Sequence, residues 1–486
     1  MKARTKCTNP MSRQTKCNVV LSSAFLAVEG RLMKYVRWIA VCVVVTLALG
    51  TMALAAGAQS SSNEKPKATD VGITDKEIHV AVIADVDSPL APNLFQGSVD
   101  GMQGWAKYIN SKAGGGGLAG RKVVIDFLDS KLNPAETKNA EITACQNDVA
   151  AVGTSAVFLT SVDEMRNCKD STGAVTGLPD IPFVSTALVQ QCSDQSFPIA
   201  PPQVLCDTAT EHPQTFQADV ARGYYYLDKY GKDLHGIYVF GSDSKSARDA
   251  SFASLGGLRD IGGVDQGIKS DEDFDISSRA TQSEYTTVVQ KMKSSGSNYG
   301  QSAGPYTSMV SLRKEAALQG LTGVKVWDCG VQCYDKQFID AGGADVEGQY
   351  SDLLFLPFYN KADQKANPML ANVVKYVGAD KLAGYSMYAW AAGLAFRDAV
   401  NAQVKAGGVN SVTRKTIFEQ LNKINKFDAD GIIAPIDLAG REASGCSVLN
   451  QLKNGAYVRV EPKKPGTFAC PKNGRILRKL DLFASS

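Results

Sequence analysis

The residues of this chain best placed to do chemistry are hydroxyls that recur after successive predicted strands. They lie in Thr154-Ser155-Ala156, in Ser185-Thr186, in Gly241-Ser242-Asp243-Ser244 and in Gly304-Pro305-Tyr306-Thr307. In open α/β sheets, ligands bind outside the carboxyl ends of the strands. Hydroxyls and backbone N–H groups near helix N-termini hold a carboxylate there without a full counter-charge. Any one such Ser or Thr reads as a helix cap; the repetition is what points to a ligand. Acids stand in comparable positions at Asp87, Asp243 and Asp328, and Phe95, Phe158 and Tyr306 could line an apolar wall.

Other chemistries find less support. Gly115-Gly116-Gly117-Leu118-Ala119-Gly120 fits G-x-G-x-x-G, but it follows a helix and precedes a strand. That is the reverse of the order a dinucleotide site needs, so a helix stop and turn is expected. Asp428-Ala429-Asp430-Gly431 begins like a calcium loop, yet Ile432-Ile433-Ala434-Pro435 follows instead of ligands. No serine sits in a G-x-S-x-G elbow, and the three histidines, His79, His212 and His235, form no zinc motif. Neither a cofactor, a metal nor an enzymatic activity is expected.

Eleven cysteines are present, three of them in the first 58 residues. The other eight form an even set behind an export signal, which reads as disulfides. Their spacings suggest sequential pairs: Cys145 with Cys168, Cys192 with Cys206, Cys329 with Cys333, and Cys446 with Cys470. The segment from Cys192 to Cys206 holds Pro198, Pro201 and Pro202, a loop that a disulfide would staple. Cys329-x-x-x-Cys333 as half of a zinc site is the weaker alternative.

The leader explains that context. From Met33 the chain runs Lys34, Arg37, then an apolar stretch from Trp38 to Ala58, the layout of a signal peptide. Met33 reads as the natural start, with cleavage after Ala55 or Ala58; an uncleaved anchor is the alternative, and lipidation at Cys42 is disfavoured. The formal charge of +3 comes from this leader, which holds eight basic residues and one acidic residue. The remainder carries 44 basic and 48 acidic residues and no basic stripe for nucleic acid.

Behind a flexible tether at 59–72, strand and helix patterns alternate in two series. The first has strands at 77–84, 121–129, 149–153 and 182–185, and helices at 96–111 and 133–148. The second begins with a helix at 214–230 and adds strands at 236–240, 268–271, 325–328 and 348–356. Its helices lie at 247–260, 282–294 and 307–320, with long helices later at 385–406 and 413–424. Such alternation implies parallel sheets with helices on both faces.

The marks Ile73-Thr74-Asp75-Lys76-Glu77-Ile78, Leu118-Ala119-Gly120-Arg121-Lys122-Val123, Gly153-Thr154-Ser155, Ser185-Thr186 and Gly431-Ile432-Ile433-Ala434-Pro435 occur in a fixed order. Together they resemble the type I extracytoplasmic solute-binding proteins of ABC importers, branched-chain amino-acid-binding branch. The resemblance covers roughly residues 73–452. It implies an α/β fold of two doubly wound, Rossmann-like lobes joined by a three-segment hinge.

The boundaries expected from it are lobe 1 at 73–207, lobe 2 at 208–330, a return to lobe 1 at 331–432, and hinge, lobe 2 return and tail at 433–486. Crossings are placed near 207–212, 329–332 and 431–435. The resemblance further implies that Ser155, Ala156, Ser185 and Thr186 hold a ligand carboxylate. An acid in lobe 2 would meet an ammonium, but Gly304-Pro305-Tyr306-Thr307 has none, leaving Asp243 or Asp328 as substitutes. The implied partners are a small-molecule ligand and a membrane permease, for an exported, monomeric protein; a sensor module presenting its ligand to a membrane receptor is the alternative.

Overall fold

The computed structural model describes residues 64–88, 92–183, 185–200, 203–205 and 215–480. The leader and its cleavage sites, Cys206, His212 and the crossing expected at 207–212 lie outside the described residues.

Strand β1 (Glu77–Ala84) is the centre of the first sheet. It pairs in parallel with β2 (Lys122–Asp129) and β3 (Ala150–Val152), and β4 (Asp180–Ile181) follows, in the order β2-β1-β3-β4. Because side chains alternate along a strand, Ile78, Val80, Val82 and Ala84 enter one core while Ala81 and Ile83 enter another. Helix α1 (Gln96–Ile109) contributes Val99, Met102 and Trp105 to the first core. Helix α2 (Pro134–Asn147) covers the opposite face with Ala140 and Ala144. Asn133 caps α2 by accepting from the Ala135 and Glu136 N–H groups, and Pro134 opens the helix as its spacing implied. The glycine run is a turn: Gly117 has φ +128°, and a Cβ there would lie 2.0 Å from the Arg121 carbonyl oxygen.

One expected helix is partly a strand. Residues 214–230 were expected to be helical, but β5 (Thr215–Asp219) precedes helix α3 (Ala221–Tyr230). β5 pairs antiparallel with the distant segment Arg475–Lys479 and buries Phe216 and Ala218. Nothing local signals a partner so remote in the chain.

The second sheet has seven strands. β6 (His235–Gly241), β7 (Lys269–Ile276), β8 (Tyr299–Ser302), β9 (Val326–Cys329) and β10 (Tyr350–Leu353) are parallel. The hairpin β11 (Val448–Lys453) and β12 (Ala456–Glu461) joins antiparallel at β10. Tyr238 and Phe240 face α3, whereas Ile237 and Val239 share a core with Val288, Val289 and Met292 of helix α5 and Met309 and Leu312 of helix α6. Those helices span Thr286–Ser295 and Tyr306–Leu318; α4 is Lys245–Leu255.

The sheet does not end at the crossing expected near 329–332. Tyr350 and Ser351 pair with Asp328 and Cys329, so β9 and β10 are neighbours in one sheet. The chain leaves after Leu353, where Leu354–Leu356 run antiparallel to Ile432–Ala434: Leu356 N–H meets the Ile432 carbonyl at 2.9 Å and Ala434 N–H meets that of Leu354 at 2.7 Å. Beyond it, α7 (Pro368–Val377), α8 (Gly384–Gly407) and α9 (Arg414–Leu421) return to the first lobe. α8 lies against α1, where Trp105 and Phe396 meet edge-on at 6.4 Å.

The described part of the expected tether is not loose. Lys67 N–H donates to Asn410 Oδ1, and Thr69 Oγ1 to the Val412 carbonyl. Arg121, 1% exposed, donates to the carbonyls of Lys67, Thr74, Ala119 and Val409, stitching residues 67–74 to lobe 1. No described helix is long and apolar enough to cross a membrane.

Three of the four expected cysteine pairs are joined by disulfides: Cys145–Cys168, Cys329–Cys333 and Cys446–Cys470. The expected pair of Cys192 with Cys206 is not among these described bonds. Cys192 is itself disulfide-bonded, at the end of the short helix Leu188–Gln191, but Cys206 lies outside the described residues.

Candidate functional site

The parallel register brings the carboxyl ends of β1, β2 and β3 together, and two carboxylates tie their loops. Asp85, fully buried, accepts from Ser130 Oγ (2.6 Å), Leu132 N–H (2.8 Å) and Val157 N–H (2.8 Å). Burial pushes its carboxyl above the ordinary range, against those hydrogen bonds. Asp129 accepts from the N–H groups of Val86 and Asp87. Asp87 itself points into solvent, on the rim of this loop.

Ser155 continues the ladder beyond β3: its N–H meets the Ile83 carbonyl at 2.8 Å. Its side chain is 0% exposed and that of Ser185 2%, and neither Oγ has a hydrogen-bond partner among the described residues. Buried hydroxyls are almost always partnered, and here two on neighbouring loops are not. Gln191 Nε2 holds the loop of Ser185 and Thr186 by donating to both carbonyls. Thr186 Oγ1 is already engaged, donating to the Val157 carbonyl. Ala156 backs into the α2-side core.

Beside these loops stands an aromatic wall. Phe95 meets Phe183 edge-on at 5.3 Å and Tyr385 at 5.2 Å, and Phe183 and Tyr385 are 5.1 Å apart. Burial pushes the Tyr385 hydroxyl up to about 12. The sequence offered Phe95 but not Phe183 or Tyr385, because their convergence needs β4 and α8 to be neighbours.

The second-lobe candidates are placed differently. Asp243 is exposed and closes its own loop, accepting from Ser277 Oγ and Ser278 N–H at 2.7 Å each. Tyr306 opens α6, half-buried, with its hydroxyl donating to Gln337 Oε1 at 3.2 Å. Asp328 lies inside the lobe, bound by Arg222 Nε (2.9 Å) and the hydroxyls of Tyr226 (2.9 Å) and Tyr299 (2.7 Å). Strand alternation turns it toward α3, and its carboxylate is already spent on those partners. No hydrogen bond, ion pair or ring contact among the described residues joins these three to the first-lobe set.

Two residues not singled out in the sequence hold the second-lobe rim. Val331, in the loop stapled by Cys329–Cys333, packs on Gly384 at the start of α8. Asp335 is half-buried and caps the following short helix by accepting from Gln337 N–H at 2.7 Å. Burial raises its carboxyl, and its charge is felt by Tyr306 and Tyr385. Asp335-Lys336-Gln337 ahead of an apolar helical run was the available signal.

Two α/β lobes are joined by a crossing ladder and present strand ends with unpartnered hydroxyls, the architecture of a binding-protein fold. The chain belongs to the periplasmic binding protein family, whose sequence pattern it matches over residues 77–456. Solved structures show the same fold at low identity. A leucine-binding protein from Thermotoga maritima is 18% identical, with 81% of this chain and 99% of that one covered and a TM-score of 0.56. A fatty acid ABC transporter substrate-binding protein from Thermomonospora curvata is 15% identical (85% and 98% covered, TM-score 0.61). A leucine-, isoleucine-, valine-, threonine- and alanine-binding protein from Brucella ovis, in a closed conformation, is 14% identical (84% and 97% covered, TM-score 0.61). No curated protein sequence matches the chain significantly.

Proposed function

We propose that this chain is the extracytoplasmic substrate-binding protein of an ABC importer. It captures a small organic carboxylate by closure of its lobes, delivers it to a membrane permease, and makes or breaks no bond. The observation that carries the reading is the pair of buried, unpartnered hydroxyls of Ser155 and Ser185 beside the Phe95–Phe183–Tyr385 wall. A carboxylate there restores two hydrogen bonds, each stronger for being charge-assisted. The family, and the leucine and fatty acid that similar proteins bind, agree with a carboxylate. The apolar rings suit an aliphatic or aromatic body.

Closure is favoured by whatever extra affinity the ligand has for the closed state. Hydroxyls and backbone amides of lobe 1 take the ligand first, and the Val331 loop completes the enclosure. A thermal-shift panel of amino acids, amides and small carboxylic acids tests the proposal. A ligand at about 100 times its dissociation constant adds about 2.7 kcal/mol. Stabilisation by a carboxylate, lost in Ser155→Ala, supports it; turnover of the bound compound, or no response across the panel, overturns it.

A further inference from the structure

Gln217 stands in β5 of the second lobe, buried, and three of its polar groups reach segments remote in the chain. Its N–H donates to the Gln203 carbonyl at 2.6 Å. Its Nε2 donates to the Arg441 carbonyl at 3.0 Å, and its Oε1 accepts from Ala443 N–H at 2.9 Å. Arg441 and Ala443 lie between the crossing ladder at Ile432–Ala434 and β11, where the chain passes into the hairpin of lobe 2.

Both contacts lead back to lobe 1, to the stretch that carries Ser185. Arg441 Nε donates to the Ser196 carbonyl and Nη2 to that of Ser193, each at 2.9 Å, and its guanidinium lies 5.7 Å from the centre of the Phe197 ring. This stretch runs beside β4: Asp180 N–H meets the Gln195 carbonyl at 2.9 Å, and Phe197 N–H meets that of Asp180 at 2.8 Å. Gln203 Oε1 accepts from Gln191 Nε2 at 3.2 Å, the same nitrogen that donates to the carbonyls of Ser185 and Thr186. Hydrogen bonds thus run from Arg441 and Gln217 through Gln203 and Gln191 to the Ser185 loop. Arg441 keeps its place with φ +55°, a left-handed conformation that a non-glycine residue holds only where its surroundings over-determine it.

We propose that Gln191, Gln217 and Arg441 are positioning residues that bolt the Ser185 loop to the hinge, so that movement of the lobes and placing of the carboxylate-binding hydroxyl are one event. The loop takes hydrogen bonds on its carbonyls from Gln191, and Gln191 is tied to Gln203, whose backbone is paired to lobe 2. A swing of β5 therefore pulls on Gln203 and, through Gln191, on the loop. Arg441 carries the same swing to Ser193 and Ser196. Buried hydrogen bonds are firm links for this purpose, because breaking one strands a donor or an acceptor. A ligand that favours the closed state then also favours the loop position that binds it. The coupling rests on the carboxylate-receptor reading and names the residues that join its first-lobe site to lobe movement.

Hydrogen exchange of the oxidised chain without ligand, read by mass spectrometry, tests the coupling. Arg441→Gly keeps the positive φ at no steric cost and removes only the grip on lobe 1. Gln191→Met keeps the length of the side chain and removes its donor. Circular dichroism reports that each variant folds. In both, the peptide covering 185–192 should exchange roughly three- to tenfold faster, the size that losing one hydrogen bond implies, while β1 exchanges as in the wild type. Leucine and octanoate are the probes for binding, and whichever binds the wild type should bind both variants about tenfold more weakly. Unchanged exchange at 185–192 in folded Arg441→Gly, or wild-type affinity in either variant, overturns the coupling. Silence of the wild type to both probes counts against the receptor reading, and the exchange measurement then decides the coupling by itself.

Discussion

Val331 and Gly384 are packed so closely that a Cβ on residue 384 would lie 2.2 Å from Val331 Cγ2. One residue stands on the disulfide-closed loop of lobe 2, the other at the start of the long helix of lobe 1. The missing side chain is what lets the two surfaces meet. Gly384→Leu is expected to wedge the lobes apart, since overfilling a packed contact costs roughly 1–3 kcal/mol. Scattering should show a larger radius, and ligand affinity should fall about tenfold or more. An unchanged radius with unchanged affinity would falsify the role given to this contact.

Ser155→Ala and Ser185→Ala should leave the unliganded fold as stable as before, because neither hydroxyl has a partner to lose among the described residues. Each should weaken a carboxylate ligand by about 1.5–3 kcal/mol, the range for hydrogen bonds to charged groups. Calorimetric titration of the variants against the compound that stabilises the wild type makes the comparison. Equal affinities in all three proteins would move the carboxylate elsewhere.

Stability should fall as pH rises. Burial, with Asp180 nearby, pushes the Glu141 carboxyl from 4.5 up to about 8. Burial, with Asp126 beside it, pushes Asp148 from 3.8 up to about 9. Both are held protonated in the folded state where the unfolded chain would release the proton. Their contribution is whole below about pH 4 and declines until the folded values are passed. Melting temperatures measured from pH 5 to pH 9 should therefore decrease, less steeply in Glu141→Gln. A flat or rising profile in the wild type would contradict the sign.

Arg121 is the stitch for residues 67–74. Among the described residues it has no carboxylate partner in hydrogen-bond contact; backbone carbonyls and Asn410 Oδ1 take its donors, and burial lowers its pKa. Arg121→Ala strands those acceptors and should cost roughly 3 kcal/mol, given 1–3 kcal/mol per unsatisfied buried group. Limited proteolysis should then cut the segment around Lys67 first. Denaturant midpoints matching the wild type would show that the strap is ornamental to stability.

How legible the fold was depended on the range of the signal. The boundaries of β1 and the cap at Asn133 followed from strand alternation and an N-cap followed by proline, which act within a few residues. The hydroxyl loops were legible because they follow strands. Asp328 looked like a candidate for the same reason, yet one step in the alternation turned it into the core against Arg222. β5 was mistaken for helix because its partner lies at Arg475–Lys479, and the crossing was placed too early because β10 joins β9 across a long insertion.

By itself, then, the sequence determined the α/β class, the three cysteine pairs that are described, and the loops bearing Ser155 and Ser185. Those depend on local periodicity, capping and short spacings, which a chain carries whatever its distant parts do. Only the tertiary structure decided that Phe183 and Tyr385 join Phe95, and that Val331 meets Gly384. Each of these juxtapositions needs segments remote in the chain to be brought together by sheet order and helix packing, and no local pattern encodes that.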